Sequence, residues 1–263
     1  MTASLSVRVV EERLAVRDGV PLYVLQEFTD RMPWLVAGTT GAGDGTDDGF
    51  DLGLFGSNPV GESIARWRAV LRVTGMRGAA HSRQAHETRI QLHAAAHEGL
   101  LVSDGFDGHM TRAAGLLLTV SIADCVPVFL VDENARAIAL LHAGWRGVAG
   151  GMLEHGIDAL RAHAGSRPER LRVHAGPSIC GECYEVGPEV HEALGLPRPS
   201  RNTPVDLRGV LARRAVARGV EPDRMTVSAH CTRCGPRRFF SHRGGERGRQ
   251  MGVLGLKASG DGR

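Results

Sequence analysis

Three residues in this 263-residue chain have the chemistry of a zinc site: His86, Cys125 and His142. Two imidazoles and one thiolate suit an ion that takes nitrogen and sulfur ligands in tetrahedral geometry. Three protein ligands leave a fourth position for water or substrate, which is what separates catalytic from structural zinc. The pKa of water on such an ion falls towards about 7, so hydroxide is available at neutral pH. The three residues are spread over nearly sixty positions, and spacing alone leaves other readings open. Cys125 can be a small buried hydrophobe and each histidine a polar group at a strand end. Alternatively, Cys125 is a nucleophile with His142 as its base, as in cysteine hydrolases. A metal between them decides.

Other residues extend the pattern. Asp124 adjoins the thiol; at a strand end its carboxylate can reach and hold a ligand histidine, or simply serve a turn. Arg146, in His142-Ala143-Gly144-Trp145-Arg146-Gly147, offers a planar fork suited to phosphate or carboxylate. Amides at a helix start after Gly147 favour an anion too; a structural salt bridge is the competing role for Arg146. Cys180-x-x-Cys183 and Cys231-x-x-Cys234 have the form of a tetrathiolate zinc site, although they lie farther apart than in a compact zinc ribbon. Free thiols or a redox pair are the alternatives. His93 and His97 have the spacing of two ligands on a helix, but their alanine-rich surroundings and Gly99 point to exposed histidines.

The elements that carry these residues follow from periodicity. Residues 5–28 alternate around Arg17-Asp18-Gly19, predicting two or three antiparallel strands. Residues 38–61, rich in glycine and aspartate, read as a mobile loop. They lack the Gly-Lys-Ser/Thr of a phosphate loop and, after Asp44, the glutamate that closes a calcium loop. Residues 61–75 read as a helix with Ile64, Trp67 and Leu71 on one face, and Ser82–Ile90 as a strand-like segment bearing His86. Asp104–Thr111 reads as a turn-rich link. Leu116–Ile122, Val126–Val131 and Ala137–Leu141 read as core strands, the last two joined by the turn Asp132-Glu133-Asn134. A helix over 148–164, a strand over Arg170–Ala175, helices over Pro188–Leu194 and Leu207–Arg218 and a strand over Met225–Ser228 follow. Arg238–Arg243 and Met251–Lys257 are expected to close the sheet. Cys125 and His142 thus fall at the ends of neighbouring strands.

Bulk properties narrow the class. A chain of 28.1 kDa with 42% hydrophobic and 23% charged residues is an ordinary globular composition. Its net charge of +3 comes from scattered arginines, with Lys257 the single lysine and aromatics at 5%; no basic block marks a nucleic-acid partner. No apolar run is long enough for a membrane span, and Met1–Arg13 lacks a signal pattern, so a cytoplasmic protein is expected. Five cysteines suggest thiol or metal chemistry over a disulfide framework. With no repeat or linker, one mixed α/β domain is the simplest organisation.

Several blocks together resemble a known family. Ala123-Asp124-Cys125-Val126-Pro127, the His142–Gly147 block, Gly176-Pro177-Ser178-Ile179, Cys183-Tyr184-Glu185-Val186 and Phe240-Ser241-His242-Arg243 look like the signature blocks of the YfiH/YlmD family. They run in order over about residues 34–256. Members have been called laccase-domain proteins, polyphenol oxidases, peptidoglycan editing factors and purine nucleoside phosphorylases. The resemblance implies one α+β (mixed α/β) domain over residues 1–263, with mixed β-sheets flanked by helices. It implies His86, Cys125 and His142 as metal ligands, with zinc the expected ion and copper the alternative. It also implies phosphorolysis of adenosine, inosine, guanosine and methylthioadenosine, plus deamination of adenosine.

On this reading His86, Cys125, His142 and Asp124 form the catalytic set, Arg146 and Arg243 hold phosphate, and Asp124 or Glu87 handles a proton. The partners are then nucleoside and phosphate, with neither nucleic acid nor membrane, and the protein a monomer or weak dimer. Two departures bear on substrate choice. Gln84-Ala85-His86-Glu87 has glutamate where the family has glycine, and Gly38–Gly53 keeps little of the family's N-terminal block. The competing functions are a copper polyphenol oxidase, for which repeated His-x-His pairs are missing; a cysteine hydrolase editing cell-wall precursors; and a nucleotide-binding regulator with a degenerate site.

Overall fold

Alternation along the central strands sorts the side chains into layers. In Val126–Asp132, all of it buried, Val126, Val128 and Leu130 face one core while Phe129 and Val131 face another. Its antiparallel neighbour Ala137–Ala143 divides the same way, with Ala139 and Leu141 on one side and Ile138 and Leu140 on the other. Strands with two apolar faces must be covered on both. The computed structural model describes residues 7–43, 49–56 and 58–258, and in it both faces are covered.

Two seven-stranded mixed sheets carry the fold. The first sheet runs, in order across it, Arg8–Val10, Met225–Ser228, Leu171–Ala175, Val126–Asp132, Ala137–Ala143, Gly108–Thr111 and Ile90–His93. The second runs Arg13–Arg17, Val20–Val24, Leu35–Thr40, Gln250–Leu256, Leu116–Ile122, Gly78–Arg83 and Gly99–Asp104. Their inner faces meet through Leu116, Leu118, Val120, Phe129, Leu140 and Leu254. Burying each such side chain stabilises by roughly 1.5–3 kcal/mol. Helices Met152–Ala164 and Leu207–Ala217 cover the outside of the first sheet. Helix Val60–Thr74 covers the outside of the second, with Trp67 wedged beside Leu117 and Val253. The layering is helix, sheet, sheet, helix, which bears out the mixed α/β architecture. Among the described residues no helix is long and apolar enough to cross a membrane.

Several local expectations change. The helix over 60–74 buries Ser63, Trp67, Val70 and Thr74, so its inner face is rotated from the one expected; the indole Nε1 of Trp67 donates to Leu52 O at 3.0 Å and sets that rotation. The helix expected over 148–164 is two helices, Trp145–Ala149 and Met152–Ala164, broken at Gly151 with φ +85°. Asp104–Thr111 is no mere link, because Gly108–Thr111 is a buried strand of the first sheet. Arg238–Arg243 adds no strand; Phe239 and Phe240 are buried there, with Phe240 N and O both bonded to the Gln250 side chain. Arg13–Arg17 and Val20–Val24 form the expected hairpin, but Arg8–Val10 pairs in parallel with Met225–Ser228 in the other sheet.

The segment read as a bland loop is partly built in. Leu35–Thr40 is a buried central strand. Asp51 is buried and its carboxylate accepts N–H groups from Gly53 and Arg249 and the Asn58 amide. Asp44, considered above for calcium, lies outside the described residues with its neighbours up to Asp48.

Sequence reading also missed Glu12, a buried carboxylate bonded to His174 Nε2 at 2.8 Å and Ser228 Oγ at 2.7 Å, with His230 Nε2 on its carbonyl. Burial acts to raise the Glu12 pKa, but His174 and Ser228 outweigh it and hold it below the usual 4.5. A carboxylate with a depressed folded pKa adds stability above its unfolded value and loses it as pH falls through the folded one. Glu12→Ala is therefore expected to cost on the order of 3 kcal/mol at pH 7. The gap to wild type should narrow in urea titrations run well below pH 4.5.

Candidate metal centre and active site

The chain changes sheets at Ala123-Asp124-Cys125, between Leu116–Ile122 and Val126–Asp132. That crossing places Cys125 at the open end of the first sheet. The register pairs Val126 with Ala143 and Pro127 with His142, so His142 ends the adjacent strand at the same level. His86 does not come from a strand. Its strand stops at Arg83, and the histidine sits in the following loop with φ +60°. The ligand atoms of His86, Cys125 and His142 all lie within 4.8 Å of one another, and the two imidazoles meet edge to face with centroids 4.9 Å apart.

Asp107 organises this cluster, and sequence reading gave it no role. It is fully buried. Its carboxylate lies 2.8 Å from His142 Nδ1 and accepts the backbone N–H groups of Ala85, His86 and Glu87 at 3.0, 3.0 and 2.9 Å. Its own carbonyl accepts His142 N–H at 2.7 Å. The loop bearing His86 is further pinned by the Gln84 amide, which bonds both N and O of Ser121. One carboxylate thus orients His142 and clamps the loop that carries His86. With Nδ1 engaged by Asp107, Nε2 of His142 is the nitrogen left for a metal. The one sequence signal was an Asp-Gly pair, Asp107-Gly108, at the start of a short segment with no obvious strand pattern.

Asp124 takes a different part from the one expected. Its carboxylate accepts the Thr232 hydroxyl at 2.6 Å and the backbone N–H of Arg243 at 2.6 Å, and its carbonyl accepts Ile179 N–H at 3.0 Å. With φ +90° it turns the chain at the sheet crossing. Asp124 therefore ties together the loops around the site, while Asp107 holds His142. Glu87 contributes its backbone to Asp107, but its side chain is exposed and lines neither cavity at the site. His93 is not exposed: it lies buried on strand Ile90–His93 with Nε2 3.0 Å from Nδ1 of buried His109, on the neighbouring strand.

Charge at the cluster is perturbed as a metal-ligating set would be. Burial acts to raise the Cys125 thiol, but His142 and His86 outweigh it and bring its pKa down from 9.0 to about 6. Burial acts to lower His142, but Cys125 and Asp107 carry its pKa up to about 9. Asp107 itself is held below the ordinary 3.8, because His142 and the N–H groups of Glu87 and Ala85 outweigh its burial. A thiolate is thus available at neutral pH. Soft thiolate, two imidazoles and a carboxylate behind one of them fit zinc, and equally fit a cuprous ion by donor type.

Two adjoining cavities open on the cluster, of about 290 and 380 Å³. Both are lined by His86, Cys125 and His242. The smaller continues to Arg146, Tyr184 and Arg243; the larger to Phe55, His81 and Arg249. Arg146 is exposed and stacks on its neighbour Trp145 at 4.4 Å; no carboxylate pairs with it among the described residues. Arg243 is preset, with its guanidinium donating to Glu185 O at 2.8 Å and lying over Tyr184 at 5.2 Å. His81, roughly parallel to Phe55 and tilted against Trp67, has its pKa lowered by burial to about 4 and is neutral at pH 7. Sequence reading missed Asp107, His81 and Arg249 here, and it placed His242 in a signature block without giving it a role.

The family model described as multi-copper polyphenol oxidoreductase laccase matches residues 41–257. The chain belongs to this family. Its fold is similar to that of YfiH from Bacillus licheniformis (TM-score 0.82, 25% identity, 93% of this chain and 99% of that one) and YlmD from Geobacillus stearothermophilus (0.80, 26%, 94% and 100%). A protein of Deinococcus radiodurans named purine nucleoside phosphorylase is 35% identical over 248 residues, spanning 89% of this chain and 90% of that protein. Adenosine deaminase RL5, from an unknown prokaryotic organism, is 36% identical over 151 residues, spanning 53% of this chain and 57% of its own length.

Two substitutions test the geometry. Asp107→Asn keeps the size but sets an NH2 donor against N–H donors, since both carboxylate oxygens accept; it loosens either His142 or the loop bearing His86, and metal affinity should fall by about 10–100-fold in chelator competition. Gly144 leaves no room for a side chain, since a Cβ there would lie 2.9 Å from Cys125 Sγ. Gly144→Ala is expected to push the thiol aside and lower metal content while circular dichroism stays native.

Proposed function

We propose that this protein is a zinc-dependent purine nucleoside phosphorylase acting on adenosine, inosine, guanosine and methylthioadenosine, with an adenosine deaminase activity at the same site. One observation carries the reading. A histidine–cysteine–histidine set anchored on buried Asp107 opens on cavities that also expose an unpaired guanidinium, that of Arg146. A metal-ligating set and a free cation facing one space suit a substrate with a polar ring and an anionic co-substrate. The relative named purine nucleoside phosphorylase aligns along nearly all of this chain, which supports transfer of that activity.

His86, Cys125 and His142 would hold the ion. A zinc ion bound there would supply Lewis-acid chemistry and a hydroxide at neutral pH, which attack on a purine ring carbon requires. The chain's own residues do the rest. Arg146, with the preset Arg243, holds phosphate behind the ribose C1′ while the base departs. His242, which lines both cavities, is the side chain placed to carry a proton to the leaving base. It takes the role first given to Asp124 and Glu87, whose carboxylates are respectively occupied by Thr232 and Arg243 N–H and turned to solvent. Phe55 and His81 offer flat apolar faces for the purine in the larger cavity.

A second reading has one specific observation in its favour. The low Cys125 pKa beside a high His142 pKa is also the signature of a nucleophilic cysteine with its base. A copper oxidase is less well supported. Among the described residues just two groups of three or more ligand side chains converge, and one of them is all cysteine.

Phosphate-dependent release of base from adenosine and inosine tests the proposal. Zinc-loaded wild type should release base only with phosphate, and Cys125→Ala and chelated protein should lose the activity. Arg146→Ala should raise the KM for phosphate about 10–100-fold, the worth of one charge-assisted contact. Amide or ester cleavage that survives chelation, with no base release, would assign the site to cysteine hydrolysis instead.

A further inference from the structure

Away from the candidate active site, four cysteines meet. Cys180 and Cys183 lie in the loop after strand Leu171–Ala175, and Cys231 and Cys234 in the loop after Met225–Ser228. These strands are parallel neighbours, with Ala175 opposite Val227, so both loops leave the same sheet edge side by side. A further parallel bridge, Ser178 to Cys231, continues the pairing into the loops. The four sulfur atoms all lie within 4.8 Å of one another. Cys180 Sγ and Cys234 Sγ are 3.8 Å apart. A zinc tetrahedron with Zn–S of about 2.3 Å has S···S edges of about 3.8 Å.

Backbone geometry points the same way. Cys231 Sγ accepts N–H groups from Cys180 at 3.2 Å, and from Arg233 and Cys234 at 3.4 Å each. Three N–H donors on one sulfur stabilise a thiolate, the form that binds metal. In the first loop Cys183 N and Tyr184 N both donate to Cys180 O at 3.1 Å, which makes a tight turn that brings the second sulfur round beside the first. Arg233 lies across the two loops, its guanidinium donating to Cys183 O at 3.1 Å, and adds a positive charge beside four sulfurs.

We propose that Cys180, Cys183, Cys231 and Cys234 hold a structural zinc ion, separate from the one at His86, Cys125 and His142. Zinc replaces the four thiol protons, which leave to solvent, and no electrons are transferred. All four coordination positions are filled by protein, so this ion is closed to substrate. The clamp it makes bears on the active site. Ile179 and Tyr184, beside the first cysteine pair, line the smaller cavity. Ile179 N–H and the Thr232 hydroxyl both bind Asp124, next to the ligand Cys125. Joining the two loops therefore fixes one wall of the cavity and the turn that delivers Cys125.

Metal analysis of the full chain, purified without chelator, tests this. Wild type is expected to retain one zinc per chain that survives Cys125→Ala and is lost in Cys183→Ser. Cys183→His, which restores a zinc ligand, should regain it. Wild type loaded with cobalt in place of zinc should show the intense d–d absorption of a tetrahedral thiolate site, and Cys125→Ala should keep that spectrum. Zinc content unchanged in Cys183→Ser overturns the proposal. So does a wild-type mass lighter by two hydrogens for each disulfide formed, with no cysteine-dependent zinc. A failure of the first metal site leaves this outcome untouched, because the ion proposed here is counted in the Cys125→Ala background.

Discussion

Asp107 sits where the first sheet, the sheet crossing and the loop after Arg83 come together. It is fully buried, and a buried carboxylate persists only when its oxygens are answered by donors. Here the donors are His142 Nδ1 and three consecutive backbone N–H groups from Ala85 to Glu87. Satisfying Asp107 therefore forces the loop into the conformation that presents His86, including its left-handed φ, and fixes the ring of His142. Two of the three candidate metal ligands are positioned by a single desolvated charge. The third, Cys125, is positioned by the strand register.

The two sheets supply the frame for that arrangement. Because the chain crosses from one sheet to the other at Ala123–Cys125, the site lies at a seam, and cavities form there. Asp124 closes the seam from the other side. Its carboxylate and carbonyl gather Ile179 from the loop after Ala175, and Thr232 and Arg243 from the long connection between Ser228 and Gln250. Adjacent aspartate and cysteine thus divide the work, with Asp124 gathering the walls and Cys125 facing the interior. The paired cysteines lie in the two loops that Asp124 ties, so the cavity wall beside Cys125 and the cysteine cluster form one connected structure.

Much of this was legible in the sequence, and the reasons for the rest are physical. Continuous apolar runs such as Leu116–Ile122 and Val126–Asp132 declare themselves as doubly covered strands, and the His142–Gly147 block marks a strand handing over to a helix. The order of the strands across the sheets is not local information, so the placement of Arg8–Val10 beside Met225–Ser228 had no signal. Asp107 and Glu12 were invisible for a related reason. A buried carboxylate looks like a surface one until its donors, tens or hundreds of residues away, are brought to it. Asp124 was visible because it adjoins the thiol, but adjacency says nothing of partners: with φ +90° it turns the chain, and its carboxylate is occupied by Thr232 and Arg243 N–H, brought from far along the chain. Glycine set the limits of helix reading: the break falls at the pair Gly150-Gly151, the second with φ +85°, a turn signal that the apolar periodicity on either side overrode in the reading.

A crystal structure of the zinc-loaded protein with anomalous data collected at the zinc edge tests the central claim most directly. The account predicts one ion bonded to Cys125 Sγ, His142 Nε2 and a nitrogen of His86, with His142 Nδ1 still on Asp107 and the fourth position facing the cavities beside Arg146. At this cluster, an ion held by the histidines without Cys125, or His142 turned so that its Nδ1 leaves Asp107 to meet the metal, would contradict it.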